Sequence, residues 1–401
     1  MKALLAAVLA TAISSSVFAQ DNMIGGERYP DGFTPVEIKN GVYPRVYFPN
    51  TELLGPTEMR VTALGTGMPN VITGAQKASA WYVELGNGDK FLFDVGSGSM
   101  ENLAKLRPDW SKVDKVFASH LHSDHVGGFA ELYIGGWMNG RYTPLHFYGP
   151  SGSEPRLGSA AFVENQIETW AWDIEGRRTG FPIAGGQAIA HEFDFRNEGP
   201  IYEENGVTIS SFPAIHSLDG SVSFRLDWGN RSFVFGGDSY PNKWFIKHAK
   251  DAELVIHECF FTPELLGETL DTPPAQAIYI SAYIHTPPEA FGKIMSEVKP
   301  RHAVGYHFWT WHDTYDEMLE RVRSMYDGPL TLARDMTVWN VTDEQVVVRE
   351  ASVDENVAPT GTTQAYRQAK REPPSVAADW ISPDINAGKW EGYTPPPLPE
   401  Q

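Results

Sequence analysis

The chain has 401 residues, 42% of them hydrophobic, enough for one large domain or two modest ones around a sizeable core. Its formal charge of −19 makes a surface that repels polyanions, which weighs against a nucleic-acid substrate unless a local basic groove overrides it. The single cysteine, Cys259, excludes an internal disulfide and reads as a small buried hydrophobe, a ligand or nucleophile role being the alternative.

Residues 1–19 carry one positive charge (Lys2), an apolar run and small residues at Val17 and Ala19. They predict a secretory signal peptide cleaved after Ala19, and so a periplasmic or secreted protein. The run is shorter than the ~20 apolar residues of a membrane span, and no later segment reaches that length. Residues 20–57 are rich in Gly, Pro and Asn and predict an N-terminal extension lying on the domain, or a linker. Met59 to Leu64 alternates as a strand and runs into Gly65-Thr66-Gly67-Met68-Pro69. Ser79 to Leu85 and Lys90 to Val95 predict a hairpin about Gly86-Asn87-Gly88-Asp89. Asp94 closes its second strand, and one reading makes it the cap of a helix from Met100 to Leu106.

Lys115 to Ala118 predicts a buried strand that delivers Ser119-His120-Leu121-His122-Ser123-Asp124-His125-Val126-Gly127-Gly128. Three of the chain's 12 histidines fall within six positions there, beside an aspartate. Imidazole and carboxylate are ligands of zinc and similar ions. Alternate residues of an extended chain face the same way, so His120 and His122 are placed to grip one ion. Asp124 and His125 then turn toward a second. The competing reading is a surface loop rich in histidine. Further on, Thr143 to Tyr148 predicts a strand, residues 156–173 a loose helix, and residues 174–200 a turn-rich insertion near the site mouth. Val207 to Phe212 predicts a strand delivering His216. Paired strands over 221–227 and 232–235 follow, the second ending in Gly236-Gly237-Asp238. Glu253 to Glu258 predicts a buried strand. His285-Thr286-Pro287-Pro288 opens a helix through Val298, with Thr286 as its N-cap. Ala303 to His307 predicts a strand, 313–326 a helix, and Met336 to Asn340 with Val346 to Arg349 a closing hairpin. A Pro-rich tail follows. The sequence contains no repeat at solenoid periods.

The His-x-His-x-Asp-His motif at 120–125, followed by Gly-Gly, resembles the metal motif of the metallo-β-lactamase superfamily. Asp94-x-Gly-x-Gly is similar to that family's first motif. Leu64-Gly-Thr-Gly-x-Pro, His257-Glu258 and His285-Thr286 resemble elements of its tRNase Z and arylsulfatase-like branch, with Cys259-Phe260 where that branch carries Ala-Thr. The resemblance covers about residues 58–349. It implies an α/β fold, a four-layer αββα sandwich (metallo-β-lactamase fold), with a hydrolase domain over 58–349 and a tail over 350–401.

By position in the family pattern, one ion is expected on His120, His122 and His216 and another on Asp124, His125 and His307, with Asp238 bridging. Asp94, His257 and Glu258 are expected to support these ligands. Two divalent ions are implied, zinc first, with iron and manganese sharing the ligand preference. Such a pair lowers the pKa of a shared water, whose hydroxide attacks the substrate. Asp124 and His285 are the expected catalytic residues, His285 as general acid or, alternatively, as a cap of the Pro-Pro turn. Trp137, Trp309 and Trp311 are candidates to wall the substrate, core or dimer contacts being the other reading. The expected substrate is a small ester, first a sulfate ester. A phosphodiester or phosphonate, then a lactone, follows. A non-catalytic metal-binding periplasmic protein is the reading of a different class. No nucleic-acid partner, no membrane span and a candidate homodimer complete the expectation, and tRNA processing is disfavoured on charge and export.

Overall fold

The computed structural model describes residues 35–69 and 75–353, together with the short strands Met23–Ile24 and Glu27–Arg28. The signal segment and most of the Pro-rich tail lie outside the described residues.

Continuous apolar runs form two mixed sheets. The nine-stranded sheet has the order Ala188–Phe193, Leu145–Pro150, Lys115–Phe117, Lys90–Val95, Ala80–Leu85, Met59–Gly65, Thr337–Val341, Val346–Ala351, Val46–Tyr47. The seven-stranded sheet has the order Gly199–Glu204, Val207–Pro213, Val222–Trp228, Arg231–Phe235, Leu254–Glu258, His302–Tyr306, Leu330–Leu332. Every residue of Met59–Gly65, Ala80–Leu85 and Lys90–Val95 is buried. Burial on both faces is why these strands read as continuous rather than alternating hydrophobic runs.

Between the sheets lies an aromatic core in which Trp81, Phe91, Phe93 and Phe117 meet Phe224, Phe233, Phe235 and Tyr306. Phe93 is its hub, 4.9 Å from Phe233 and 5.4 Å from Phe117 between ring centroids. Helices Ser99–Lys105 and Ser159–Thr169 cover the outer face of the first sheet. Lys243–Ala249, Pro288–Val298 and His312–Arg323 cover the second. The result is an αββα sandwich. Strands 231–235, 254–258 and 302–306 are parallel neighbours, as are 90–95 and 115–117. Their carboxyl ends therefore gather at one edge, and the segments carrying Asp94, His120, Asp238, Glu258 and His307 all leave from there.

Three local expectations are corrected. Residues 174–200 are not mainly turns: Ala188–Phe193 and Gly199–Glu204 supply an edge strand to each sheet. Both are half-exposed edge strands, and His191-Glu192 in one and Pro200 with Glu203-Glu204 in the other break the apolar run that marks the inner strands. Thr286 does not cap the helix Pro288–Val298, which starts after Pro287 without a side-chain cap; its hydroxyl donates instead to the Ser239 carbonyl. Nor does Asp94 cap the helix Ser99–Lys105, whose N-cap is Gly98. A helical stretch missed in the sequence follows the histidine loop, with a π-turn at Glu131–Gly135 continuing into Gly136–Asn139. Its two adjacent glycines hide the helical pattern. Among the described residues no helix is long and apolar enough to cross a membrane.

Candidate metal centre

The strand Lys115–Phe117 is clamped between parallel neighbours, so Ser119 and His120 leave it in a fixed direction. His122 is still extended (φ −66°, ψ 149°) and is the N-cap of the short helix Ser123–Val126. The extended stretch keeps His120 and His122 on one side, and the helical turn swings Asp124 and His125 to another. Gly96 is required beside this turn, because a Cβ there would collide with the Asp124 carbonyl.

Two groups of side chains converge, and a third, of Asp238, Glu258, His285 and His307, overlaps them. His120, His122, His216 and Asp238 form one, and Asp124, His125, Asp238 and His307 the other; within each, the ligand atoms lie within 4.8 Å of one another. Asp238 belongs to both. In the first group His120 Nε2 is 2.9 Å from His122 Nδ1, which is 3.2 Å from His216 Nε2. His216 Nδ1 contacts the Ile284 carbonyl at 3.3 Å, and donating there leaves Nε2 as a bare lone pair. In the second group His125 donates from Nδ1 to Asp94 at 2.6 Å, which turns its Nε2 toward the centre, where a cation could replace the second proton. That atom lies 3.2 Å from Asp238 Oδ1, and both are buried without a hydrogen-bond partner. His307 Nε2 is 3.2 Å from Asp124 and 3.3 Å from Asp238. Lone pairs packed this closely in a buried site repel one another unless a cation sits among them.

The electrostatics agree with that reading. Burial lowers the pKa of His120 well below its ordinary value, lowers that of His122, and brings His216 down to about 3. These histidines are neutral, the form that ligates. Burial also works against charge on His125, but the carboxylates of Asp238, Asp124 and Asp94 outweigh it and hold its pKa well above the usual value. Burial opposes ionisation of Asp124 and Asp238 as well, yet the adjacent His125 leads the effects that pull both below the carboxylate range. The centre is thus a buried excess of negative charge facing imidazole lone pairs, and this donor set of nitrogen and oxygen fits divalent ions.

Asp94, in the left-handed region at φ 57°, accepts hydrogen bonds from the Ser119 amide (2.8 Å), the Ser119 hydroxyl (2.9 Å) and His125. His307 is likewise left-handed, at φ 72°, with its amide bonded to the Thr66 carbonyl. Backbone strain of this kind costs on the order of 1–3 kcal/mol and persists only where the surroundings over-determine it. Glu258 and His285 form the outer wall. His285 Nδ1 lies 2.6 Å from Glu258 Oε2, and Glu258 Oε1 accepts from the Ser239 amide. Burial, then the Asp238 carboxylate, raises the Glu258 pKa well above normal, while burial lowers that of His285. Phe260 stacks flat on His285, with ring centroids 4.1 Å apart and planes at 9°.

The structure separates the remaining predicted residues. His257 faces away from the centre, against Phe245 and Phe291, because consecutive strand residues point to opposite faces and Glu258 takes the inner one. It is therefore no support for a ligand. Trp137 is fully buried in the outer helix layer and its indole donates to the Pro182 carbonyl, so it does not wall the site. Trp309 is buried and stacks at 4.7 Å on Trp311, which is 47% exposed. Cys259 is a buried free thiol whose pKa burial raises, as a small hydrophobe's would be. Sequence reasoning missed Ser119, which links Asp94 to His120 Nδ1 at 3.1 Å, and Phe260. A serine preceding the motif is no signal by itself.

Residues 73–243 match the sequence profile of the Metallo-beta-lactamase superfamily. The chain carries a metallo-β-lactamase superfamily domain. It is similar to a ribonuclease Z of Mycolicibacterium gilvum, 27% identical over half of this chain and 68% of that one. A second ribonuclease Z, from Thermococcus onnurineus, is 24% identical over 70% of this chain and 94% of its own length. The fold is shared with the metallo-beta-lactamase fold protein YhfI of Bacillus subtilis (TM-score 0.52, 21% identity, 71% of this chain and all of that one). It is shared also with the short form of human tRNase Z (TM-score 0.50, 20% identity, 70% and 98%). The metallo-β-lactamase domain and these relatives mark the chain as a metal-dependent hydrolase of ester bonds.

The relatives overturn two expectations. Proteins named ribonuclease Z contradict a sulfate ester as the leading substrate, and they contradict a partner set of small-molecule esters without nucleic acid. The net charge of −19 averages over the whole surface, whereas the bond cleaved is decided by the few groups at the sheet edge.

Proposed function

We propose that the protein is a binuclear metal-dependent phosphodiesterase acting on nucleic-acid phosphodiester bonds, RNA first. The carrying observation is Asp238, which belongs to both ligand groups and whose two oxygens could each serve one of two divalent ions. Zinc is the metal we assign, from the histidine-rich N/O donor set. When bound, such a pair supplies an activated water and neutralises charge developing on the phosphoryl oxygens.

The chain's own residues do the rest. His125 is held by Asp94 with Nε2 toward the centre, and His216 is held by the Ile284 carbonyl in the same sense. Glu258, whose raised pKa favours its protonated form, gives its proton to His285 Nδ1 across 2.6 Å. His285 then passes its Nε2 proton to the departing alkoxide, which leaves it neutral with the former Glu258 proton on Nδ1 and leaves Glu258 ionised until a proton returns from solvent. Burial of His285 to 7% exposure and the flat contact with Phe260 fix the ring and shut out competing water. The apolar N-terminal run leads us to propose further that this chemistry operates after export.

The test is hydrolysis of bis(p-nitrophenyl) phosphate and of a single-stranded RNA oligonucleotide by zinc-reconstituted protein. Both are expected to be cleaved, and a chelator is expected to stop both. Protein that binds two ions yet cleaves neither substrate contradicts the proposal.

A further inference from the structure

Beside the first ligand group opens a cavity of about 310 Å³, and His120, His122 and His216 form part of its lining. Besides Leu121 and Pro150, its other walls belong to two segments that the catalytic chemistry does not use. One is the turn Pro155–Leu157 with the helix Ser159–Thr169, which bring Leu157, Phe162, Asn165 and Gln166 to it. The other is the loop after His216, which brings Leu218. Both walls are anchored. Ser159 donates its hydroxyl to the Pro150 carbonyl at 2.8 Å, and the Ala160 amide donates to Glu192 at 2.8 Å. Gly220, at φ +122°, packs so that a Cβ would come within 3.0 Å of the Ser151 carbonyl. The cavity is therefore built into the fold and opens directly onto the centre.

We propose that this cavity is the site for one unpaired nucleobase on the retained side of the scissile phosphate. The assignment rests on the phosphodiesterase reading above. Its size lies at the small end of ligand pockets, which suits a single nucleoside and excludes a base-paired helix. Its chemistry matches a base: apolar faces from Leu157, Phe162 and Leu218, and the side-chain amides of Asn165 and Gln166 for polar edges. The side of the phosphate follows from His285. His216 borders the cavity, and the His285 ring is 5.0 Å from it, but His285 is not part of the lining. The leaving oxygen must sit at the acid, so the ring in the cavity hangs from the other ester oxygen. The substrate is then a flexible single strand or strand end, whose flanking base is free to turn out.

The test compares two esters with the same leaving group, thymidine 5′-(p-nitrophenyl phosphate) and methyl p-nitrophenyl phosphate, on the zinc-loaded full chain. The quantity read is the ratio of their kcat/KM values. The wild type is expected to favour the thymidyl ester at least tenfold. Phe162→Ala should shrink the ratio on the order of 10-fold, the scale of one lost base-stacking contact. Phe162 also packs on Phe129 and Phe147, so Leu218→Ser, at a 64% exposed position, gives a variant whose folding is not in question. It should shift the ratio in the same direction. A wild-type ratio near one, or a ratio unmoved in both variants, overturns the assignment while leaving the phosphodiesterase reading intact. If neither ester is hydrolysed, that reading falls, and binding of thymidine 5′-monophosphate decides the cavity: weaker binding to Leu218→Ser supports it, equal binding overturns it.

Discussion

Replacing Asp94 by asparagine tests how the second ion is held, without touching a ligand. The carboxylate accepts four hydrogen bonds, the Ser119 amide on Oδ1 and the Ser119 hydroxyl, His125 Nδ1 and, at 3.5 Å, the Ser79 hydroxyl on Oδ2. Asparagine keeps the shape and the Oδ1 acceptor, but puts an NH2 donor where Oδ2 stood. Donor then faces donor at His125 Nδ1, and the imidazole escapes by moving its proton to Nε2. That is the atom turned toward Asp124 and Asp238 at 3.3 and 3.2 Å, so the ring is left in the tautomer that does not ligate. Losing a ligand-orienting partner of this kind costs roughly 10–100-fold in metal affinity, or about 1.4–2.7 kcal/mol. His125 belongs only to the second group, whereas Asp94 reaches His120 only through Ser119. Titration of metal-free Asp94→Asn against a chelator of known affinity should show the weaker site falling by that factor and the other changing less. Equal affinity in variant and wild type, or a larger loss at the first site, refutes the reasoning.

His285→Ala should retain both ions and lose on the order of 10²–10⁴-fold in turnover on alkoxide leaving groups. It should lose far less on nitrophenolate, which needs no proton; a loss independent of leaving-group pKa in steady-state rates excludes the acid role. Asp335 fastens Thr66 and the Lys77 amide beside the site, and burial raises its pKa from 3.8 to about 6. Because the folded state holds that proton more tightly, the contribution is greatest below about 3.8 and is lost as pH rises through about 6, on the order of 3 kcal/mol at most. Denaturant unfolding at pH 4.5 and 7.5 should show a smaller stability difference in Asp335→Asn than in the wild type. Mass spectrometry of protein from its native host should find the mature N-terminus at Gln20, and an intact Met1 contradicts export.

The ligand groups were legible because metal binding demands few residue types, and the fold presents them at strand ends that the sequence marks with apolar runs. His216, Asp238 and His307 each follow such a run, and the structure brings all three together with the 120–125 loop. What failed did so for reasons of facing and context. His257 and Glu258 are adjacent in a fully buried strand, and no alternation in the sequence tells which one turns inward. Trp137 lies close in sequence to the histidine loop but is carried under the sheet by a helix that its neighbouring glycines disguise. The edge strands 188–193 and 199–204 are half exposed and lack the hydrophobic density that marks the inner ones. The substrate was misread because bulk charge was given more weight than the local site, where Phe260 and the cavity beside His216 are tertiary features that no motif contains.

The proposed chemistry requires a pair of ions held at Asp238. Elemental analysis of zinc-reconstituted, extensively dialysed protein measures it directly. Close to two ions per wild-type chain are expected, falling when Asp238 is replaced by alanine, with His216→Ala losing mainly one site and His307→Ala the other. A wild-type content of one ion or less, or two ions undisturbed by the loss of Asp238, contradicts it.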